Sequence, residues 1–172
     1  GRGDLGLYFG ITNQDGEYVF VETSQPAINQ WHHLAAIYNG TTLKLYLNGE
    51  LAAAEKDQSG AIRTLAPLRI GWLYNQEYFR GYLDDIRIWN YPRSEADLQA
   101  FAKRRLKGNE SGLVGYYRFA NQTALDYSPN SNHGTIVDNP TPVESPIPNY
   151  HLFAGVANKW VQTEQVFLTH QW

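Results

Sequence analysis

Between residues 126 and 134 the chain reads DYSPNSNHG, and Asp126, Ser128, Asn130 and Asn132 stand at every second position before Gly134. Alternate oxygen-bearing side chains closed by a glycine are how a short loop wraps Ca2+, which takes about six to eight oxygen ligands. Only Asp126 brings a formal charge, so such a site would hold calcium weakly, in roughly the millimolar to submillimolar range of extracellular modules. The same residue types also build Asx-turns, in which a side-chain oxygen accepts from a backbone N–H two residues on. The sequence leaves both readings open.

A second cluster, WLYNQEYF at residues 72–79, combines rings with amides and an acid. Trp72, Tyr74 and Tyr78 can stack on sugar rings, while Asn75, Gln76 and Glu77 can bond hydroxyls or a cation. The segment joins two strand-like runs, so it falls at a sheet edge where ligand loops gather. The alternative is an aromatic edge that packs on its own neighbours.

Other suggestive spacings lead away from catalysis. Asp84 and Asp85 are adjacent, and adjacent strand residues point to opposite faces, so these two carboxylates cannot flank one bond. They are expected to tie down nearby backbone instead. His32-His33 fails as a chelating pair for the same reason. Glu55 and Asp57 alternate, but only at a strand end before a turn. No Ser-His-Asp arrangement and no phosphate loop is nominated by the spacing, and the expectation is a protein that is not an enzyme. Arg2-Gly3-Asp4 spells the tripeptide read by cell-adhesion receptors. That signal needs an exposed loop tip, whereas Asp4 runs directly into an alternating strand and reads as an ordinary lead-in.

The composition limits the partners. The 172 residues suit one domain, and with 42% hydrophobic and 18% charged residues the chain can bury a core. A net charge of -3 does not fit a nucleic-acid partner, which calls for clustered Lys and Arg. No apolar run is long enough to insert in a membrane as a helix. There is no cysteine, hence no disulfide, and 12 Tyr with 5 Trp suit sheet faces and ligand-stacking surfaces. Neither a signal peptide nor an initiator Met is present, so the chain reads as a processed or excised piece.

Most segments alternate as strands. Leu7, Phe9 and Ile11 share one face, a turn at 13–16 follows, and EYVFVET returns as the second arm of a hairpin. QWHHLAAIY, LKLYL and ELAAAE are joined by Asn39-Gly40 and Asn48-Gly49 turns, with Leu43, Leu45 and Leu47 inward and Lys44 and Tyr46 outward. PLRIGW, GYLDDIRIWNY and GLVGYYRF continue the pattern, with a bulge expected at Asp84-Asp85 and a short strand after the 126–134 loop. One segment differs. Ser94 and Asp97 have capping-box spacing, Leu98, Phe101, Ala102 and Leu106 form a helical stripe, and Lys103, Arg104 and Arg105 precede Gly108. This predicts a helix over 95–106. The expected fold is therefore all-β, an antiparallel β-sandwich with one short surface helix. It should span residues 1–148, with a Pro-rich connector from 137 to 148 and a tail or linker at 149–172.

The stretches NQWHHLAAIYNGTTLKLYLNGELAA, APLRIGW, YFRGYLDDIRIWNYPRSEADL and GLVGYYRF resemble laminin-G-like, concanavalin A-like jelly-roll domains, and most of all their pentraxin-related branch. The likeness runs from about Gly3 to Pro148. It implies that several strands usually found upstream are missing, so that the chain is a fragment or is completed by a partner or by its own tail. Calcium is known in that superfamily, and similar Asp-x-Ser-Gly-x-Gly-Asn loops occur there; Pro129 stands where glycine is usual. The resemblance implies a non-catalytic carbohydrate- or glycoconjugate-binding module, with adhesion roles, of a larger secreted or surface protein, bacterial in origin. The rival expectation is a spacer that packs against other domains or chains of its parent and binds no small ligand.

Overall fold

The computed structural model describes residues 6–53, 56–57, 60–63, 67–73, 77–119, 123–138, 140–143 and 155–156. At 56–57, 72–73, 77–78, 142–143 and 155–156 only the backbone is described. The elements run β1 (Tyr8–Thr12), β2 (Tyr18–Glu22), β3 (Leu34–Tyr38), β4 (Thr42–Leu47), β5 (Glu50–Leu51), β6 (Lys56–Asp57), β7 (Trp72–Leu73), β8 (Glu77–Tyr78), β9 (Ile86–Trp89), α1 (Glu95–Phe101), β10 (Leu113–Tyr117), β11 (Pro142–Val143) and β12 (Gly155–Val156). Every strand pairing among the described residues is antiparallel. The described residues are thus mostly strands in antiparallel sheets, with one short helix among them.

The described residues divide into two compact units, one of 6–79 with 92–103 and one of 80–91 with 104 onward. In the first, alternation decides which face is buried. Leu7, Phe9, Ile11 and Val21 from the β1–β2 hairpin meet Leu43, Leu45 and Ala53 from the sheet built on β4, with Leu34, Ala36, Tyr38, Leu47 and Ile62 packed around them. Leu43 is wholly buried, and each such side chain contributes about 1.5–3 kcal/mol to folding. The order β3-β4-β5, with β6 also on β4, places the longest strand centrally.

Turn chemistry follows the sequence closely. Asn13 N–H donates to the Glu17 carbonyl at 3.0 Å, and Gly16 takes φ +87° to close the first hairpin. Asn48 and Gly49 both have positive φ, +55° and +89°, which is the two-residue turn whose twist matches the strands. Asn48 also locks the approach to β3. Its Oδ1 accepts from His33 N–H at 3.0 Å, and its Nδ2 lies 3.2 Å from His32 Nδ1. His32 Nε2 lies 2.8 Å from the Ala27 carbonyl. With Nε2 protonated and Nδ1 accepting, every one of these contacts is satisfied, and His32 is a loop clamp.

Four details depart from the sequence expectation. Tyr46 is buried although it faces away from the Leu43–Leu45 row. Helix α1 docks near this end of the sheet, where Gln99 Nε2 donates to the Gly49 carbonyl at 3.3 Å. The capping box at Ser94 and Asp97 is present, but the helix ends at Phe101, with Ala102 as its C-cap, rather than at 106. Beyond it the backbone has other partners: the Arg104 carbonyl accepts from Arg87, and Leu106 N–H donates to the Tyr116 hydroxyl at 3.3 Å. Lys103, Arg104 and Arg105 are thus not in its last turn. The register shift lies in β10, between Leu113 and Gly115, while Asp85 breaks the alternation ahead of β9 by its positive φ of +59°. Finally, 67–71 and 134–137 are not strands.

Candidate functional site

The 126–134 loop belongs to the second unit and is organised by one carboxylate. Asp126 is 5% exposed. Its Oδ1 accepts from Tyr116 N–H and Ser128 N–H, both at 2.8 Å. Its Oδ2 accepts from the Ser128 hydroxyl at 2.9 Å and from Asn132 N–H at 2.8 Å. Burial alone would raise the carboxyl pKa, but the donors from Ser128, Tyr116 and Asn132 prevail and hold it below the usual carboxylate range. Ser128 Oγ in turn accepts from Asn130 N–H at 3.3 Å, Asp126 N–H donates to His133 Nδ1 at 3.1 Å, and the Tyr117 hydroxyl donates to the Asn132 carbonyl at 2.8 Å.

The loop therefore brings Asp126, Ser128 and Asn132 together, while Asn130 enters through its backbone. Two donors on each oxygen fill the carboxylate's acceptor positions. A cation here would have to displace backbone N–H groups. Asx- and Ser-turn bonds centred on Asp126 and Ser128 account for the loop's shape, and no group of three or more His, Cys, Asp or Glu that could hold a metal occurs among the described residues.

Asp84 and Asp85 answer to cations rather than to backbone. Asp85 pairs with Arg87, and Asp84 lies 3.6 Å from Arg105 Nη2. Nearby, burial and then the Asp85 charge push the Tyr116 phenol well above its ordinary value. These are charge pairs, where the sequence reading expected the acids to tie down backbone.

Within 72–79, β7 and β8 pair antiparallel, with Trp72 opposite Tyr78 and Leu73 opposite Glu77. Tyr74, Asn75 and Gln76 lie outside the described residues, as do Arg2-Gly3-Asp4, Glu55 and all of 149–172 except Gly155 and Val156.

The outer face of β1–β2 carries a cluster that the sequence reading passed over. Tyr8 pairs with Glu22, Gly10 with Phe20 and Thr12 with Tyr18. These positions point away from the core, because their neighbours Leu7, Phe9, Ile11, Val19 and Val21 are buried. Tyr18 and Phe20 stack at 5.7 Å with rings inclined 22°, and Tyr8 meets Phe20 edge to face at 6.5 Å. Gly10 supplies the room: a Cβ there would fall 2.4 Å from the Tyr18 hydroxyl. Tyr18 is 54% exposed. The result is a strip of three rings on one face, with the Glu22 carboxylate beside Tyr8 and the Thr12 hydroxyl beside Tyr18. A usable signal was present, since a glycine facing aromatics across a hairpin marks a ring laid over it.

Such a two-layer core, these turns and this strand order can be compared with known families. The laminin-G-type profile of the concanavalin A-like lectin/glucanases superfamily matches residues 2–99. The chain belongs to that superfamily. Among curated relatives, pappalysin-1 of Mus musculus is 32% identical over 74 residues, 40% of this chain and 5% of its own length. Pappalysin-1 of Homo sapiens is 31% identical over 74 residues, 40% of this chain and 4% of its own. Neurexin-4 of Drosophila melanogaster is 28% identical over 113 residues, 64% of this chain and 8% of its own. The chain thus spans less than a tenth of each relative. No solved structure matches it at the same stringency. No helix among the described residues is long and apolar enough to cross a membrane.

Proposed function

We propose that this laminin-G-like region is a non-catalytic recognition module that binds carbohydrate or a glycoconjugate, within a larger secreted or cell-surface protein. The observation that carries the reading is the Tyr8–Phe20–Tyr18 strip. Ring faces stack on the C–H faces of pyranose sugars, and a flanking carboxylate and hydroxyl accept from and donate to sugar hydroxyls. Glu22 and Thr12 stand where those polar partners are needed. The segment 72–78, with Trp72, Tyr74, Asn75, Gln76, Glu77 and Tyr78, is a second contact region in this reading. Calcium is no part of it, because the donors on Asp126 support a self-contained loop.

A glycan array probed with the full chain and with Tyr18→Ala tests the proposal. Binding to a defined set of glycans that weakens across the set in the variant supports it. An array without signal, or a signal that Tyr18→Ala leaves intact, favours the rival role as a spacer that packs on other parts of its parent.

A further inference from the structure

The chain contains two Asn-Gly pairs, Asn39-Gly40 and Asn48-Gly49, in the two turns that flank β4. We infer that Asn39 is a spontaneous modification site, converting to aspartate and isoaspartate, and that Asn48 is protected. The reaction needs only water. The Gly40 amide nitrogen attacks Asn39 Cγ and loses its proton to solvent base, leaving an oxyanion on Oδ1. Solvent then protonates Nδ2, the oxyanion collapses as the Cγ–Nδ2 bond breaks, and ammonia departs, giving a five-membered succinimide. Water adds at one ring carbonyl and breaks that carbonyl's bond to the Gly40 nitrogen: at Cγ this leaves the backbone through the α-carbonyl, as aspartate, and at the α-carbonyl it leaves the backbone through Cγ, as isoaspartate.

The surroundings of the two asparagines differ at each step. Asn39 and Gly40 are both exposed, and a Cβ built on Gly40 would meet nothing within 4 Å. Solvent base therefore reaches the attacking nitrogen. Asn39 Oδ1 accepts from three donors, Thr41 N–H at 3.0 Å, the Thr41 hydroxyl at 3.0 Å and Thr42 N–H at 2.8 Å. Donors aimed at an oxygen that becomes negative stabilise the tetrahedral intermediate, as in an oxyanion hole. The Asn39 loop thus carries its own catalyst.

Asn48 is held in the opposite way. Gly49 is buried, and a Cβ there would lie 2.9 Å from Gln99 Cγ, so helix α1 covers the attacking residue. Both carboxamide atoms are engaged, Oδ1 by His33 N–H and Nδ2 by His32, which hinders rotation of Cγ toward Gly49. Attack there requires local opening of the β4–β5 turn, and opening costs free energy that exposed loops do not pay.

Incubation of the full chain in mildly alkaline buffer, followed by peptide mapping with mass spectrometry, tests the inference. Asn39 should convert on the order of tenfold or more faster than Asn48, as expected where the attacking glycine is covered and the turn must open first. Thr41→Val removes one of the three donors and should slow conversion at Asn39 by roughly three- to tenfold. Equal rates at the two sites, faster loss at Asn48, no conversion at Asn39, or acceleration by Thr41→Val would each overturn it.

Discussion

Asp126→Asn keeps the volume of the side chain and removes its charge, and the surroundings fix the cost. Oδ1 faces the amides of Tyr116 and Ser128; Oδ2 faces the amide of Asn132 and the hydroxyl of Ser128. Whichever way the carboxamide turns, its NH2 group meets a backbone N–H. An unpaired buried donor costs about 1–3 kcal/mol, and the remaining bonds lose their charge-assisted strength. The expected loss is about 2–4 kcal/mol, which lowers the melting temperature of a chain of this size by roughly 5–15 °C. The pH dependence has a definite sign. A carboxyl held below its unfolded value stabilises the fold at pH above that unfolded value, about 3.9, and the contribution fades as pH falls through the lowered folded value. The gap between the unmodified chain and the variant should therefore be full at neutral pH and narrow in acid. Thermal melts by circular dichroism in EDTA measure both effects, and a parallel set in millimolar calcium tests for a bound cation. Two results would refute the reasoning. One is a variant that melts with the unmodified chain in EDTA. The other is a calcium-induced rise in the unmodified chain that Asp126→Asn abolishes, which would make the loop a cation site.

Three further outcomes follow from the packing. Ser94→Ala removes the cap that accepts from Asp97 N–H at 3.1 Å and should cost about 1 kcal/mol in a denaturant titration. Gly108→Ala should be far worse, because a Cβ there would sit 2.3 Å from the Tyr127 carbonyl oxygen at a φ of +100°; loss of soluble folded protein, or a destabilisation above roughly 3 kcal/mol, is the expected reading. Burial holds the Tyr116 and Tyr117 phenols above their ordinary value, so their stabilising contribution is intact below the unfolded tyrosine pKa and is lost as pH rises beyond it. An ultraviolet titration of the 12 tyrosines should show a late-ionising fraction, which Tyr116→Phe and Tyr117→Phe should reduce while leaving the main phenolate step unchanged.

Local chemistry was legible wherever one residue type has few options. Asn48-Gly49 specified its turn because two successive positive φ values suit that pair, and the Leu7/Phe9/Ile11 and Leu43/Leu45 rows specified their face because strand period is two. The Ser94–Asp97 box fixed where the helix begins. Its end was not legible, since the Leu98–Leu106 spacing is compatible with five more residues of helix and only the tertiary partners of Arg104 and Leu106 draw the chain out of it. The oxygen ladder at 126–132 identified the right residues but could not say whether a cation or backbone N–H groups fill Asp126, because that depends on Tyr116 and Asn132 being brought within 2.8 Å. The ring strip was hidden for a related reason: Tyr8, Tyr18 and Phe20 become one surface only once Gly10 pairs with Phe20.

Isothermal titration of the chain with the strongest glycan found on the array tests carbohydrate recognition most directly, using Tyr18→Phe and Tyr18→Ala side by side. If the exposed ring is a stacking surface, Tyr18→Phe keeps the affinity within about threefold and Tyr18→Ala loses roughly tenfold or more, the size of effect seen when an aromatic anchor is truncated. Melting curves for both variants should match the unmodified chain closely, since more than half of Tyr18 is already in solvent. Unchanged affinity in Tyr18→Ala would contradict the assignment of this face to sugar binding.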